Sequence, residues 1–221
     1  MSFFAEINEP AAPIWADVFN LPLVRGIAEG TLPEDTFRYY MSQDYKYIVE
    51  YARMRVAGAQ KAPTPELMAS FAEGALFILK GEAIYHRSAA RYLGCPVEDF
   101  LEGERAPTCE AYLNYMQAAA YNGTFLDVLV ATLPCLWGYA HVGRILAERE
   151  LPDHPMYRLW IETYADPVMQ EKSIQMCALL DRLTEDANPA TRARLARHYY
   201  VCSRYEWMFF DMAWRKEQWP V

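Results

Sequence analysis

The sequence lacks an excess of basic residues, and this absence argues against a large group of functions. It contains 21 Lys and Arg residues against 29 Asp and Glu residues, which gives a formal net charge of −8 at pH 7. Nucleic acids and anionic membrane surfaces are bound through basic footprints that neutralise phosphate groups. We therefore expect no nucleic acid and no membrane among the partners of this chain.

Long apolar runs and paired cysteines are also missing. The uncharged run Val128–Ala140 contains Pro134 and has 13 residues, whereas a membrane span needs about 20 apolar residues. This run is predicted to form a buried core helix. The five cysteines are widely spaced with no C-x-x-C pair, which predicts neither a disulfide framework nor a zinc site. Residues 1–30 carry no secretory pattern, so a cytoplasmic location with free thiols is expected.

Hydrophobic residues at helical spacing dominate what is present. They make up 53% of the chain, and no convincing alternating strand pattern occurs. We predict an all-α bundle of seven to nine helices in a single domain over residues 1–221. A capping box at Thr31–Glu34 is predicted to start one long helix. The predicted helices cover residues 10–20, 21–28, 31–61 and 64–94, and others follow from Pro107, Thr124, Pro155, Pro167 and Pro189.

Two carboxylates fall on apolar helix faces. At about 100° of rotation per residue, Asp44 shares an arc with Tyr40, Tyr47 and Tyr51, and Glu206 shares one with Cys202. A buried carboxylate is costly unless it is hydrogen-bonded. Taken singly, such a residue is slightly better explained as a satisfied polar residue of the core than as part of a site.

A third anomaly is Cys135, which follows Pro134 on the apolar face of another helix. A kink is predicted at this proline because it removes a backbone donor, although a buried cysteine alone usually behaves as a small hydrophobe. A thiol, two carboxylates and many phenols on inward faces together indicate a small-molecule pocket with nucleophilic and acid–base chemistry.

Metal and cofactor chemistry finds little support in the sequence. A di-iron bundle uses Glu-x-x-His pairs, and none occurs. Haem needs an axial ligand, usually histidine, and the chain has four histidines. Glu82 and His86 are spaced i, i+4, which favours a hydrogen-bonded pair over a metal site. We expect no metal and no organic cofactor.

Four segments together resemble the TenA proteins, also called thiaminase II or aminopyrimidine aminohydrolase, over nearly the whole chain. The tripeptide Leu133-Pro134-Cys135 is the strongest mark and indicates the class that keeps the cysteine. The segments are GIAEGTLPEDTFRYYMSQDYKYI (26–48), LPCLWGYAHVG (133–143), HPMYRLWIETYADP (154–167) and YEWMFFDMAWRKEQW (205–219).

The resemblance implies a haem-oxygenase-like fold without haem, a homotetramer, and a small-molecule substrate. It implies hydrolysis of thiamin or of 4-amino-5-aminomethyl-2-methylpyrimidine to the hydroxymethylpyrimidine. By position, Cys135 matches the nucleophile, Glu206 the acid–base residue and Asp44 the residue that holds the aminopyrimidine. The remaining matches in the pocket are Tyr47, Tyr112, Tyr139, Tyr164 and His86.

Two other classes of function stay open at this point. One is a haem-oxygenase-like or di-iron oxidoreductase on the same scaffold. The other is a non-catalytic pyrimidine-binding or regulatory protein. The residues also leave the choice between thiamin and the aminopyrimidine open, because one methyl group or ring is worth only about 1–3 kcal/mol in an apolar pocket.

Overall fold

The computed structural model describes residues 2–221, without the side chains of residues 81–83, and its regular elements are helical. Eleven α-helices and no strand occur within these residues, which confirms the all-α class. The helices are α1 Phe3–Asn8, α2 Ala12–Val18, α3 Pro22–Glu29, α4 Glu34–Lys61, α5 Pro65–Phe77, α6 Ala83–Tyr92, α7 Pro107–Asn122, α8 Phe125–Ala147, α9 Pro155–Ala165, α10 Pro167–Leu183 and α11 Pro189–Arg215.

Proline defines the start of most of these helices. The first helical position leaves its N–H unpaired in any case, and the fixed φ of proline already suits the helix. The predicted starts in the second half of the chain are confirmed on this ground. The helices that begin with proline open at Pro22, Pro65, Pro107, Pro155, Pro167 and Pro189.

Two local predictions are wrong, and one helix was missed. The capping box at Thr31 does not form, because Pro33 occupies the N-cap of α4 in an extended conformation and no side chain caps the helix there. The single helix predicted over residues 64–94 is divided by a π-helical turn at Ile78–Glu82, in which the chain takes more residues per turn. Helix α1 was not predicted, and its N-terminus is capped by the Ser2 hydroxyl. These differences raise the number of helices above the predicted seven to nine.

Helices α4, α8 and α11 form the centre of the bundle, and the shorter helices pack around them. The buried side chains form one continuous cluster that runs from Phe3 to Ala213. Of the helices described, α8 alone is long and apolar enough to cross a membrane, and 72% of its apolar window is buried inside the fold. The prediction of a buried core helix is therefore confirmed. Helix α8 continues through Pro134, and the predicted kink stays a prediction.

Candidate active site

A cavity of about 160 Å³ lies beside the central helices α4 and α8, and α5, α9 and α10 complete its wall. Five of the eight site residues predicted from the sequence line this cavity. Their side chains come from α4, α8 and α9, so the cavity depends on how these helices pack. The five are Asp44, Tyr47, Cys135, Tyr139 and Tyr164.

The carboxylate of Asp44 is held by a histidine from α6. Asp44 is 2% exposed, and its Oδ2 lies 2.8 Å from Nε2 of the fully buried His86. An ionised carboxylate only accepts hydrogen bonds, so the imidazole N–H donates. No hydrogen bond joins Oδ1 of Asp44 to any side chain that the structure describes. His86 thus orients the carboxylate, and its second oxygen remains an acceptor for a ligand in the cavity.

Glu206 lies in a layer behind the cavity wall. It is 2% exposed, and the hydroxyl of Tyr112 donates to its Oε1 at 2.5 Å. Burial raises the pKa of Glu206 to about 8, and the nearby Asp44 raises it further, against the hydrogen bond from Tyr112, which lowers it. Near neutral pH this carboxyl group is therefore mostly protonated and ready to donate a proton.

Tyr139 ends a chain of hydrogen bonds that begins at an indole. Nε1 of Trp160 lies 3.1 Å from the Tyr40 hydroxyl, which lies 3.2 Å from the Tyr139 hydroxyl. Because an indole N–H only donates, Tyr40 accepts from Trp160, and one of the two hydroxyls of Tyr40 and Tyr139 donates to the other. These hydrogen bonds fix the position of the Tyr139 hydroxyl beside the cavity.

The backbone just before Cys135 is tied to α4. The Tyr51 hydroxyl donates to the carbonyl oxygen of Thr132 at 2.9 Å, one turn before the cysteine. Cys135 itself is half-buried and lines the cavity. The thiol is therefore accessible from the cavity while its helix is fixed by a buried hydrogen bond.

The predicted residues do not all meet in one space. Asp44 and Cys135 line the same cavity, whereas Glu206, Tyr112 and His86 lie behind its wall. Tyr47 lies between the two layers, because it lines the cavity and its ring centroid is 5.3 Å from that of Tyr112. Burial and the neighbouring Cys135 raise the pKa of Tyr47, and Glu206 adds to the effect. The predicted hydrogen bond between Glu82 and His86 lies outside the described residues, because the side chain of Glu82 is not among them.

The end of the cavity opposite Asp44 is lined by residues that the sequence analysis did not predict. Arg55 from α4 and Lys172 from α10 line that end, together with the exposed side chains of Glu73 and Gln175. One signal was available, because eleven residues make just over three turns and Arg55 therefore follows Asp44 on the same face of α4. Nothing in the spacing predicted that a guanidinium would be buried there.

The comparisons with known proteins agree with this geometry. The TENA/THI-4/PQQC family matches residues 9–216 of the chain. The chain belongs to this family. A relative named aminopyrimidine aminohydrolase, from Halalkalibacterium halodurans, is 34% identical over 220 residues, which cover 99% of this chain and 98% of that protein. The resemblance that the four sequence segments indicated is thereby confirmed.

Solved structures of TENA/THI-4/PQQC relatives share the helical arrangement. The TenA homologue from P. horikoshii OT3 superposes with a TM-score of 0.87 at 26% identity, covering 97% of this chain and 99% of that chain. A domain of unknown function with a heme oxygenase-like fold from Shewanella denitrificans gives a TM-score of 0.71 at 13% identity, covering 96% and 92%. The second likeness concerns the fold alone, and it confirms the predicted haem-oxygenase-like bundle.

Proposed function

We propose that this chain is a hydrolase of thiamin salvage that releases 4-amino-5-hydroxymethyl-2-methylpyrimidine from thiamin or from 4-amino-5-aminomethyl-2-methylpyrimidine. One observation carries the proposal. The thiol of Cys135 and the histidine-oriented carboxylate of Asp44 border one cavity walled by tyrosines. The relative from Halalkalibacterium halodurans bears the name of this activity.

The end of the cavity at Asp44, called the inner end, binds the pyrimidine ring of the substrate. Oδ1 of Asp44 accepts a hydrogen bond from the exocyclic amine of the pyrimidine, which fixes the orientation of the ring. Tyr47, Tyr139 and Tyr164 supply aromatic faces on which a flat ring stacks. The free acceptor on a buried carboxylate favours a ring that carries an amine over one that carries a carbonyl group.

The first covalent step uses Cys135. The thiolate adds to the ring carbon next to the one that bears the methylene group, and a C–S bond forms. Electrons from the ring then expel the leaving group, so the bond between the methylene carbon and nitrogen breaks. This route divides one difficult displacement into two easier steps.

Proton transfer is the role of Glu206 in this mechanism. Its protonated carboxyl group donates a proton toward the leaving amine through the hydroxyl groups around it, of which Tyr112 makes the 2.5 Å contact. The thiazole of thiamin leaves as a neutral molecule and needs no proton at its nitrogen, so in that reaction the proton goes to a ring nitrogen of the pyrimidine.

The second half of the reaction restores the enzyme. Water adds its oxygen to the exocyclic methylene carbon, and one of its protons returns to the Glu206 carboxylate. The C–S bond then breaks, and the thiolate of Cys135 leaves as the pyrimidine ring recovers its aromatic electrons. The products are the hydroxymethylpyrimidine and either ammonia or, from the cationic thiamin, the neutral thiazole and the proton carried by the pyrimidine nitrogen.

The decisive test is release of the hydroxymethylpyrimidine, measured by chromatography with each substrate. We expect Cys135→Ser to lower kcat about 10³-fold or more, because the alcohol is a far weaker nucleophile than a thiolate. Cys177→Ser is the matched control, since Cys177 does not line the cavity. Full activity of Cys135→Ser would exclude the nucleophile, and an inactive wild-type protein would exclude the proposed function.

We also propose that the enzyme is a cytoplasmic homotetramer. None of its five cysteines, all within the described residues, forms a disulfide bond, which suits a reducing compartment, and the tetramer rests on the resemblance to TenA proteins. Sedimentation equilibrium tests the assembly, with an expected mass of four times the 25.5 kDa chain. A monomer or dimer at micromolar concentration would contradict it.

A further inference from the structure

The end of the cavity remote from Asp44 contains a buried cation that has no acidic partner among the described side chains. Arg55 is 6% exposed and lines the cavity. Its Nη2 contacts only the weak acceptor Sδ of Met176, at 3.9 Å, and no ion pair joins it to a carboxylate among the side chains that the structure describes. Arginine is almost never buried without a partner, because an uncompensated charge is costly to remove from water.

The residues packed around Arg55 hold its guanidinium in one position. It lies over the ring of Phe71 at 3.8 Å from the centroid. A Cβ at Gly74 would lie only 2.8 Å from Nη2 of Arg55, and a Cβ at Gly58 would lie 2.4 Å from the Phe71 ring. Both glycines therefore permit close approaches, and neutral groups position the guanidinium within the part of the chain that the structure describes.

A second cation lies at the same end of the cavity. Nζ of Lys172 lies 4.6 Å from the ring centroid of Phe77, and both residues line the cavity. Within the part of the chain that is described, Lys172 makes no ion pair either. Glu73 is the carboxylate that lines this end, and it is exposed and paired to neither cation. The charged groups of Arg55 and Lys172 thus rest on aromatic faces and keep N–H donors for a ligand.

The two ends of the cavity have opposite charge and are far apart. Asp44 and Arg55 lie on one face of α4, and eleven residues of helix span about 16 Å. A ligand that reaches both ends is longer than one pyrimidine ring and carries an amine at one end. At the other end, the planar guanidinium fork matches a phosphate or carboxylate group.

We propose that Arg55 and Lys172 form a subsite for an anionic group, a phosphate ester or a carboxylate, on the leaving group of the aminopyrimidine substrate. This inference rests on the proposed function, because the inner end of the cavity must hold the aminopyrimidine. It makes Arg55 a specificity-determining residue that selects an anionic leaving group over a neutral one.

The test compares kcat/KM for three substrates: thiamin, thiamin monophosphate, and the analogue of thiamin whose hydroxyethyl group is oxidised to a carboxymethyl group. We expect the wild-type enzyme to prefer at least one anionic substrate over thiamin by 10-fold or more. Preference for the monophosphate assigns the subsite to phosphate esters, and preference for the carboxylate assigns it to carboxylates. Equal values for all three substrates would overturn the inference.

Variants then assign the preference to Arg55. We expect Arg55→Met to reduce the ratio of anionic to neutral kcat/KM by about 10- to 100-fold, as for a lost hydrogen bond between two charged groups. Arg55→Lys retains the charge and should restore part of the ratio. Arg53→Met removes an exposed positive charge two residues away on α4, and it should leave the ratio unchanged. An unchanged ratio in Arg55→Met would overturn the inference.

A second variant and two outcomes for the wild-type protein separate failure of the subsite from failure of the proposed function. If Arg55→Met does not fold, as judged by thermal melting, Lys172→Met carries the test, with an expected decrease of about 3- to 10-fold in the same ratio. Wild-type protein that hydrolyses neither these three substrates nor 4-amino-5-aminomethyl-2-methylpyrimidine would contradict the proposed function. Wild-type protein that hydrolyses thiamin with no preference for an anion would contradict the subsite alone.

Discussion

Glu206 and Asp127 are two buried carboxylates in this molecule with opposite properties. They are 2% and 1% exposed, respectively. Glu206 receives a hydrogen bond from the phenol of Tyr112, and its pKa is about 8. Asp127 receives hydrogen bonds from Nε of Arg194 at 2.8 Å and from the backbone and hydroxyl of Thr124 at 2.7 Å each.

The difference lies in the partners and not in the burial. Burial raises the pKa of Asp127 too, but hydrogen bonds from His198, Arg194 and Thr124 outweigh it and hold the pKa well below its usual range. Glu206 has neutral phenols in place of cations, so burial decides its pKa. A buried carboxylate with a cation and a helix-capping role stabilises the fold, whereas one held by neutral donors keeps a proton available near pH 7.

The largest expected effect separates the two carboxylates by activity. Glu206→Gln should lower kcat by about 10²- to 10⁴-fold, because the amide cannot deliver a proton. Asp127→Asn should leave kcat within about threefold, since Asp127 is remote from the cavity lining. Steady-state kinetics with the aminopyrimidine substrate measures both variants. Comparable losses of kcat in the two variants would contradict the distinction between the two carboxylates.

The second effect is a difference in the pH dependence of stability. The ordinary pKa of a glutamate is 4.5, and folding raises that of Glu206 to about 8, so the folded protein binds more protons between these values. Glu206 therefore stabilises the fold fully below pH 4.5 and loses this contribution as the pH rises to about 8, with a slope of up to about 1.4 kcal/mol per pH unit. Urea unfolding of wild type against Glu206→Gln measures it.

Asp127 should show the opposite sign when urea unfolding compares wild type with Asp127→Asn. Its folded pKa lies below the ordinary value of 3.8, so its contribution is present above that value and is lost as the pH falls below it. A wild-type stability relative to Glu206→Gln that stays constant from pH 4.5 to 8 would contradict the raised pKa of Glu206.

A smaller effect on stability is expected for Asp127→Asn at pH 7. The substitution removes the charge that accepts hydrogen bonds at the N-terminus of α8, and it should cost about 1–2 kcal/mol of unfolding free energy. Chemical denaturation measures the change. Arg144→Gln is the control, because that exposed i, i+4 pair with Glu148 should contribute little. Equal losses in the two variants would show that Asp127 is not a stabilising centre.

The smallest expected effect concerns the hydrogen bond that Tyr112 donates to Glu206. Tyr112→Phe removes the hydrogen bond that lowers its pKa, so the decline of kcat/KM at alkaline pH should move to higher pH than in wild type. A pH profile from 6 to 10 measures the shift, and Tyr115→Phe is the control on the same helix. A shift to lower pH would mean that Tyr112 does not stabilise the ionised carboxylate.

Much of the site was predictable because helical periodicity places each residue on a face. The positions of Asp44 and Glu206 among apolar neighbours predicted their burial, and both are buried. The capping box at Thr31 was wrong because a proline at the N-cap excluded it. The layer behind the cavity was not predictable, since spacing along one helix does not specify the depth at which another helix lies.

The sequence by itself determined which side chains turn inward, because the apolar stripe of each helix must be buried and the helical rotation is fixed. Only the tertiary structure decided which inward side chains meet. It brought Cys135 and Asp44 to one cavity, placed Glu206 one layer behind it, and set Arg55 over the ring of Phe71 at the far end. Such meetings depend on how close-packed helices cross, and the pattern along any single helix does not contain that information.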